Sequence, residues 1–135
     1  MKYGYVLIFF LFLSGYIIKA QPPETTYPGT IVYEGYYDDR SWGPLNIGFN
    51  FTFYGNTYNR FYVTSNGLIM FVSGSNDYTE DPIPSPSSPN NFIAAFWDDI
   101  VINSSGKILY TTIGASPNRK CITHIGPLDN TFSVW

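Results

Sequence analysis

Residues 46–54 alternate between apolar and mostly polar side chains with a period of two, and this pattern restricts the fold more than any other. Ile47, Phe49, Phe51 and Phe53 occupy one set of positions. Successive side chains of a β-strand point to opposite faces, whereas an α-helix repeats about every 3.6 residues. The segment therefore predicts a strand with one buried face.

A hairpin is predicted directly after this strand. The next strand runs from about Thr57 to Thr64, and the segment from Leu68 to Val72 pairs back against it. Asn66-Gly67 lies between them, and this dipeptide supplies the positive φ angles of a two-residue hairpin turn.

The run from Phe92 to Trp97 is almost wholly apolar and predicts a strand buried on both faces. Asp98 and Asp99 follow at once. Because a buried carboxylate without a partner is energetically unfavourable, these two residues must lie at the strand end, facing solvent, backbone N–H groups or a cation.

The remaining predicted elements are short and are separated by glycine, asparagine or proline. The segment from Ser73 to Asn91 is a predicted loop, because proline at this density cannot donate sheet hydrogen bonds. Further strands are predicted at 100–102, 107–113 and 119–125. No segment has a convincing helical period, so the sequence predicts an all-β fold, an antiparallel β-sandwich of two packed sheets.

The N-terminus has the pattern of an export signal. Lys2 precedes an apolar core from Val6 to Ile18, and Ala20 supplies a small residue at the expected cleavage point. The core is shorter than the roughly 20 residues of a spanning helix, so residues 1–20 are predicted to be a cleaved signal peptide, with a single membrane anchor as the alternative. The predicted localisation is secreted or cell-surface.

Two further segments complete the predicted organisation. Residues 21–44 form an extended leader and first loop, and residues 45–135 form the β-sandwich module. The module ends on Thr131-Phe132-Ser133-Val134-Trp135, which looks like the start of a strand without a polar tail. An edge strand that ends in this way is a liability, so the module is predicted to be truncated at its C-terminus relative to a larger parent protein.

Charge and cysteine content exclude several classes of function. Without residues 1–20 the chain keeps five basic and ten acidic residues, a formal charge near −5. Nucleic acids and anionic membranes bind basic surfaces, so neither is an expected partner. Cys121 is the only cysteine, which rules out an intrachain disulfide.

Four motifs occur in order between about Leu45 and Lys120: Phe53-Tyr54-Gly55-Asn56-Thr57-Tyr58, then Tyr62-Val63-Thr64-Ser65-Asn66-Gly67 with Phe71, then Ile83-Pro84-Ser85, then Ile93-Ala94-Ala95-Phe96-Trp97-Asp98-Asp99. This order resembles a β-sandwich module of large secreted and surface proteins of Gram-negative bacteria. It is more distantly similar to the nidogen-type (NIDO) extracellular domain. The resemblance implies an adhesive or accessory module beside proteases, carbohydrate-active domains or surface anchors, and it implies no catalytic residue.

Asp98 and Asp99 are candidate calcium ligands. Calcium takes six to eight oxygen ligands, and the predicted loops are rich in carboxylates, hydroxyls and amides. The loop residues that could complete such a site are Asp38, Asp39, Asp77, Glu80 and Asp81. The alternative is structural, because aspartate commonly caps a turn through its own backbone.

Two residue pairs that would suggest catalysis are incompatible with the geometry of a strand. Cys121 and His124 are separated by an odd number of positions, which places them on opposite faces of a strand and prevents a thiol–imidazole dyad unless a bulge intervenes. The adjacent Asp98 and Asp99 also point to opposite faces of an extended segment, so they cannot be the two carboxylates of a glycosidase.

Exposed aromatic rings are the best candidates for a binding surface. Tyr36, Tyr37 and Trp42 lie in one predicted loop with Asp38, Asp39 and Arg40 between them. Planar rings in a loop can stack on sugars or anchor a protein partner. The alternative is that these rings fill the core.

The sequence therefore predicts a non-catalytic, exported β-sandwich module for adhesion or accessory binding within a larger surface or secreted protein. Its expected partner is an extracellular protein or a glycan, and no cofactor other than calcium is expected. Two alternatives stay open. One is a fragment of a secreted hydrolase, and the other is a calcium-stabilised structural module.

Overall fold

The computed structural model describes residues 29–126 and the backbone of residues 133 and 134. The regular structure of these residues consists of eight strands: β1 (Thr30–Glu34), β2 (Ser41–Phe53), β3 (Asn56–Thr64), β4 (Leu68–Met70), β5 (Phe92–Ala94), β6 (Lys107–Ile113), β7 (Lys120–Gly126) and β8 (Ser133–Val134). The predicted signal peptide and residues 21–28 lie outside the described part of the chain, as does the rest of the C-terminal segment.

The strands form two four-stranded sheets, and every pairing is antiparallel. One sheet has the order β1-β6-β7-β8, and the other has the order β2-β3-β4-β5. The last strand of the first sheet is short, because only two residues of β8 pair with β7. This arrangement confirms the predicted all-β antiparallel β-sandwich.

The core lies between the two sheets. Phe61 and Val63 of β3 face Ile108 of β6, and all three side chains are almost fully buried. The ring of Phe61 packs edge-on against Tyr110, with 5.6 Å between the centroids. One hydrogen bond also joins the sheets, since the Thr112 hydroxyl of β6 donates to the Ile47 carbonyl of β2 at 2.6 Å.

The alternating segment behaves as predicted. Ile47 is buried and Phe49, Phe51 and Phe53 are partly buried, whereas the residues between them are exposed. The observed strand β2 is longer than predicted, because it already begins at Ser41. The predictions at 107–113 and 119–125 also hold, with β6 covering the whole of its expected range and β7 displaced by one residue.

The prediction for the run 92–97 is wrong. Only Phe92–Ala94 forms a strand, and β5 is the edge strand of its sheet, so it pairs with β4 alone. Ala94 is exposed, and Phe96 in the following loop is 54% exposed. An edge strand has one unpaired side, so an apolar run there does not require burial on both faces.

The expected boundary at residue 45 is also wrong. Strand β1 begins at Thr30 and pairs with β6, so the sandwich includes much of the segment 21–44. The expected strand at 100–102 is reduced to one bridge, in which Ile102 and Tyr37 exchange two backbone hydrogen bonds of 2.8 Å.

Candidate functional site

The turn between β3 and β4 differs from the two-residue turn that the Asn-Gly dipeptide predicts. Val63 pairs with Ile69, which leaves a three-residue loop at Ser65–Gly67. Gly67 has a φ angle of +77°, whereas Asn66 is not among the residues with positive φ. A type I turn closed by one left-handed glycine is the usual form of a three-residue hairpin loop.

Gly67 brings the loop after β5 against this turn. Its carbonyl accepts hydrogen bonds from the backbone N–H groups of Ala95 at 3.1 Å and Phe96 at 3.3 Å. A Cβ atom at Gly67 would collide with the backbone carbonyl of Phe96. Both the positive φ and this close approach require glycine here.

Asn66 is fully buried, and its side-chain amide joins three loops. Its Nδ2 donates to the Asp39 carboxylate at 2.9 Å and to the Asp77 carbonyl at 3.3 Å. Its Oδ1 accepts from the Ile100 N–H at 3.1 Å. The amide therefore fastens the β1–β2, β4–β5 and β5–β6 loops to one point, and its burial is compensated by hydrogen bonds.

Ser65 adds a second link to the β1–β2 loop. Its hydroxyl oxygen accepts from the Arg40 N–H at 2.9 Å, and its own N–H donates to the Arg40 carbonyl at 2.7 Å. The sequence predicts only a turn at the Asn-Gly pair. The run of polar residues Thr64-Ser65-Asn66 inside an otherwise apolar hairpin was the available signal for a buried polar network.

Three carboxylates meet beside this network. Oxygen atoms of Asp38, Asp39 and Asp99 all lie within 4.8 Å of one another. Asp98 is not in the group, and its carboxylate accepts the Asp99 N–H at 2.9 Å. Asp77 also has a local role, because its carboxylate accepts the Thr79 N–H at 3.0 Å. The structure thus brings Asp99, one of the two predicted calcium ligands, together with Asp38 and Asp39, which are two of the expected loop partners.

Within residues 29–126, no nearby basic side chain compensates the negative charge of these carboxylates. Neither a lysine nor an arginine nitrogen of that range lies within 4.0 Å of Asp38, Asp39 or Asp99. Arg40 is the basic residue next in sequence, but its guanidinium donates to the Tyr37 hydroxyl at 2.6 Å and lies 4.8 Å from the centroid of that ring. The surface here is therefore acidic.

The three candidate rings for ligand binding have different environments. Tyr36 is 63% exposed. Tyr37 is half-buried and packs edge-on against Tyr33 and Trp42. The expected exposure of Trp42 is wrong, because β2 begins at Ser41 and directs the Trp42 side chain into the core, where it is 9% exposed.

Two further exposed rings lie on the loops that Asn66 joins. Tyr78 follows Asp77, and Phe96 donates its N–H to Gly67. We use the name "Asn66 loop surface" for the exposed rings and converging carboxylates of these loops, namely Tyr36, Tyr78, Phe96, Asp38, Asp39 and Asp99. The apolar character of Phe96 had suggested burial rather than a surface role.

Cys121 and His124 lie on β7, away from these loops. The register of β7 with β6 has no shift, so the two side chains project to opposite faces. Burial raises the pKa of the Cys121 thiol above its ordinary value, and a hydrogen bond with Thr112 lowers it by a smaller amount. The His124 ring is held locally, with Nε2 at 3.1 Å from the Gly126 carbonyl oxygen.

The family model of NIDO-related proteins matches residues 18–124, which is most of the chain. The chain belongs to the NIDO-related family. The match contains every motif on which the resemblance to the nidogen-type domain depended, and it identifies this NIDO-related protein as an extracellular module. No curated protein and no solved structure matches it. Within the described residues, no helix has the length and apolar character needed to cross a membrane.

Proposed function

We propose that this NIDO-related chain is a non-catalytic adhesive or accessory module, exported as part of a larger surface or secreted protein, and that its Asn66 loop surface binds a protein partner. The supporting observation is the buried amide of Asn66, which holds three loops in fixed positions while Tyr36 and Phe96 stay more than half exposed. Loops on a rigid scaffold are common binding surfaces, and aromatic rings are frequent anchors.

Fixed loops favour binding because less conformational freedom is lost when the partner arrives. The converging carboxylates of Asp38, Asp39 and Asp99 add a preference for the charge of that partner. Complementary charge steers association and disfavours wrong partners. A basic patch on an extracellular protein therefore fits this surface better than a neutral glycan does.

The positions of the reactive groups support a non-catalytic role. Asp38 and Asp99 are exposed rather than enclosed in a cleft. A glycosidase places its two carboxyl groups on either side of a bound sugar, roughly 5 to 10 Å apart. Among the described residues, the cavity lined by Ile47, Phe61 and Ile93 has neither a carboxylate nor a histidine in its wall.

Binding can be tested with panels of immobilised extracellular proteins and glycans, with biolayer interferometry as the measurement. Tyr36→Ser and Phe96→Ser should each weaken binding to the protein partner by tenfold or more. Tyr54→Ser is the matched control, because Tyr54 is 90% exposed but lies beside the β2–β3 turn, at the opposite end of β3 from Asn66. It should leave affinity unchanged.

The same experiment separates the alternatives. Saturable binding to a glycan that depends on Tyr36 would keep the adhesive role and replace the class of partner. Binding that all three variants retain would exclude the Asn66 loop surface as the site. Turnover of a glycan or peptide substrate by the purified chain would favour the hydrolase instead.

A second candidate function is calcium-dependent stabilisation, which the three converging carboxylates favour. Like charges this close repel one another, and a divalent cation would remove the repulsion. Calcium at about 100 times its Kd would add about 2.7 kcal/mol to the free energy of unfolding. For a domain of this size, we expect a rise in Tm of roughly 10 °C.

Asp99→Asn should abolish this calcium-dependent rise in Tm, measured by differential scanning calorimetry in calcium and in chelator. Asp98→Asn is the matched control, since Asp98 lies outside the group and should keep the rise. An equal Tm in calcium and chelator for the unmodified chain would exclude this second function and leave the adhesive role untouched.

A further inference from the structure

An apolar groove opens between the two sheets beside β7. Its volume is about 200 Å³, and its walls are formed mainly by three isoleucines and by Phe49, Phe51, Phe61 and Phe71. Two of these rings, Phe51 and Phe71, contact each other with centroids 5.4 Å apart. No residue of the Asn66 loop surface lines this inter-sheet groove, so it is a separate feature.

The inter-sheet groove has a cationic rim. Arg119 and Lys120 line it, and they are two of only five basic residues in the range 29–126. Within residues 29–126, no aspartate or glutamate lines it, although acidic residues outnumber basic ones in the chain. The groove thus combines apolar walls with positive charge in a protein of opposite net charge.

Arg119 is positioned at this rim, and no acidic residue in the described range 29–126 forms an ion pair with it. Its guanidinium lies 5.2 Å from the centroid of the Phe49 ring, and its Nη1 is 3.5 Å from the Gly48 carbonyl oxygen. No carboxylate oxygen of the described residues lies within 4.0 Å of it. A guanidinium forms its strongest hydrogen bonds with a carboxylate, which it can hold through two parallel N–H groups.

We propose that the inter-sheet groove binds a small amphipathic carboxylate, an aromatic ring carrying a carboxylate on a short linker. The ring packs among the phenylalanines, and the carboxylate pairs with Arg119. The size fits, because an apolar cavity of about 150 Å³ is sufficient for benzene. Ring-on-ring contacts add to the burial of apolar surface in such a site.

The probe for this site is 3-phenylpropionate, titrated into the purified chain by isothermal titration calorimetry. Arg119→Gln should weaken binding at least tenfold. Arg60→Gln is the matched control, because Arg60 is an exposed arginine on β3 that does not line the groove, and it should bind as the unmodified chain does. The neutral analogue 3-phenylpropanamide should bind the unmodified chain at least tenfold more weakly than the carboxylate, and Arg119→Gln should not weaken it further.

Cys121 provides a second readout that locates the ligand. It lines the groove and is the only cysteine, so alkylation by iodoacetamide reports on this site alone. Saturating 3-phenylpropionate should slow alkylation of Cys121 at least fivefold. Unfolding in urea, measured for each variant, shows whether a loss of binding is a loss of structure.

Three results would overturn the proposal. The first is no saturable binding of 3-phenylpropionate, or binding that leaves the alkylation rate unchanged. The second is equal affinity for the carboxylate and the amide, which would make the groove a site for neutral apolar groups. The third is protection of Cys121 that rises with protein concentration alongside dimer formation in sedimentation equilibrium, which would make a second copy of the chain the occupant.

Discussion

At the scale of single residues, Asn66 is the buried polar side chain whose amide joins three loops. It is one of four buried polar residues in the range 29–126, and three of these are consecutive in the β3–β4 hairpin. A buried amide that is hydrogen-bonded on both its oxygen and its nitrogen favours one arrangement of its partners, because each lost hydrogen bond leaves a buried polar group unsatisfied. Asn66 therefore specifies the loop arrangement as well as stabilising it.

Asn66→Ala should lower the free energy of unfolding by about 3 kcal/mol, since it removes the three hydrogen bonds that join Asn66 to other loops, worth about 1 kcal/mol each. Urea unfolding followed by circular dichroism measures this change. Asn59→Ala, at an exposed position of the neighbouring strand β3, should stay within about 0.5 kcal/mol of the unmodified chain. Equal effects of the two variants would show that the Asn66 amide is not a structural link.

The Cys121 thiol makes stability depend on pH in a defined direction. Its pKa in the folded chain is raised, mainly by burial, so the folded state binds the thiol proton more tightly than the unfolded state does. This contribution is complete below the ordinary thiol pKa of about 8.5, and it is lost as pH rises through the higher folded pKa.

Cys121→Ala should therefore lose less stability than the unmodified chain between about pH 8 and pH 10. Urea unfolding at a series of pH values gives the comparison. In a matching kinetic experiment, the rate of Cys121 alkylation should reach half its maximum above about pH 8.5. A midpoint below that value would contradict the assigned burial effect.

At the scale of strands and turns, a comparison of two glycines distinguishes the effect of close packing from the effect of backbone strain. Gly67 and Gly55 have almost equal φ angles, +77° and +81°. A Cβ atom at Gly67 would meet the Phe96 carbonyl, whereas one at Gly55 would have no heavy atom within 4 Å. A non-glycine residue would therefore have a strained backbone at either position, but only at Gly67 would its Cβ atom also collide with another loop.

Gly55→Ala should destabilise the chain by about 1 kcal/mol, the usual penalty for a non-glycine residue with positive φ. Gly67→Ala should destabilise it by at least about 3 kcal/mol, because the β5–β6 loop must also move. Both values come from urea unfolding. Similar losses for the two variants would show that the loop yields easily to the added methyl group.

The same elements show how far sequence patterns could lead. The alternation in β2 and the strands β6 and β7 were predictable, because period and punctuation are local properties. The burial of Trp42 was not predictable, since the loop expected around it is partly strand. The apolar run 92–97 also misled, because apolar content alone does not distinguish a central strand from an edge strand followed by an exposed loop.

The candidate site was predictable only in part. Acidic and aromatic loop residues suggested where a ligand could bind, and Tyr36 and Asp99 do lie on the surface. The convergence of Asp38 and Asp39 with Asp99 depends on how the β1–β2 loop approaches the β5–β6 loop, and the inter-sheet groove depends on how two sheets pack. Contacts between residues so far apart in sequence produce no local periodic pattern from which they could be predicted.

At the scale of the whole molecule, the first sheet depends on residues that had been assigned to a leader. Strand β1 pairs along β6, and Tyr33 packs against Trp42 with 5.1 Å between the ring centroids. Trp42 belongs to the core cluster, and Tyr33 packs against it. The folding unit therefore includes strand β1, which lies before the expected boundary at residue 45.

A fragment of residues 29–135 should unfold cooperatively in urea, whereas a fragment of residues 45–135 should show no cooperative transition. The shorter fragment lacks β1 and Trp42, and loss of a buried tryptophan side chain alone removes roughly 3–5 kcal/mol. Such a loss is a large fraction of the total stability of a small domain. A cooperative transition of the 45–135 fragment with equal stability would restore the later boundary.

The single amide that joins three loops also has a consequence for how this surface can change. Substitutions on different loops would disturb the same set of hydrogen bonds, so their effects on affinity should not be additive. A partner that contacts only the loop bearing Tyr36 still depends on the order of the loop bearing Phe96. The loops are therefore expected to vary as one unit, and a new specificity would require coordinated changes in all three.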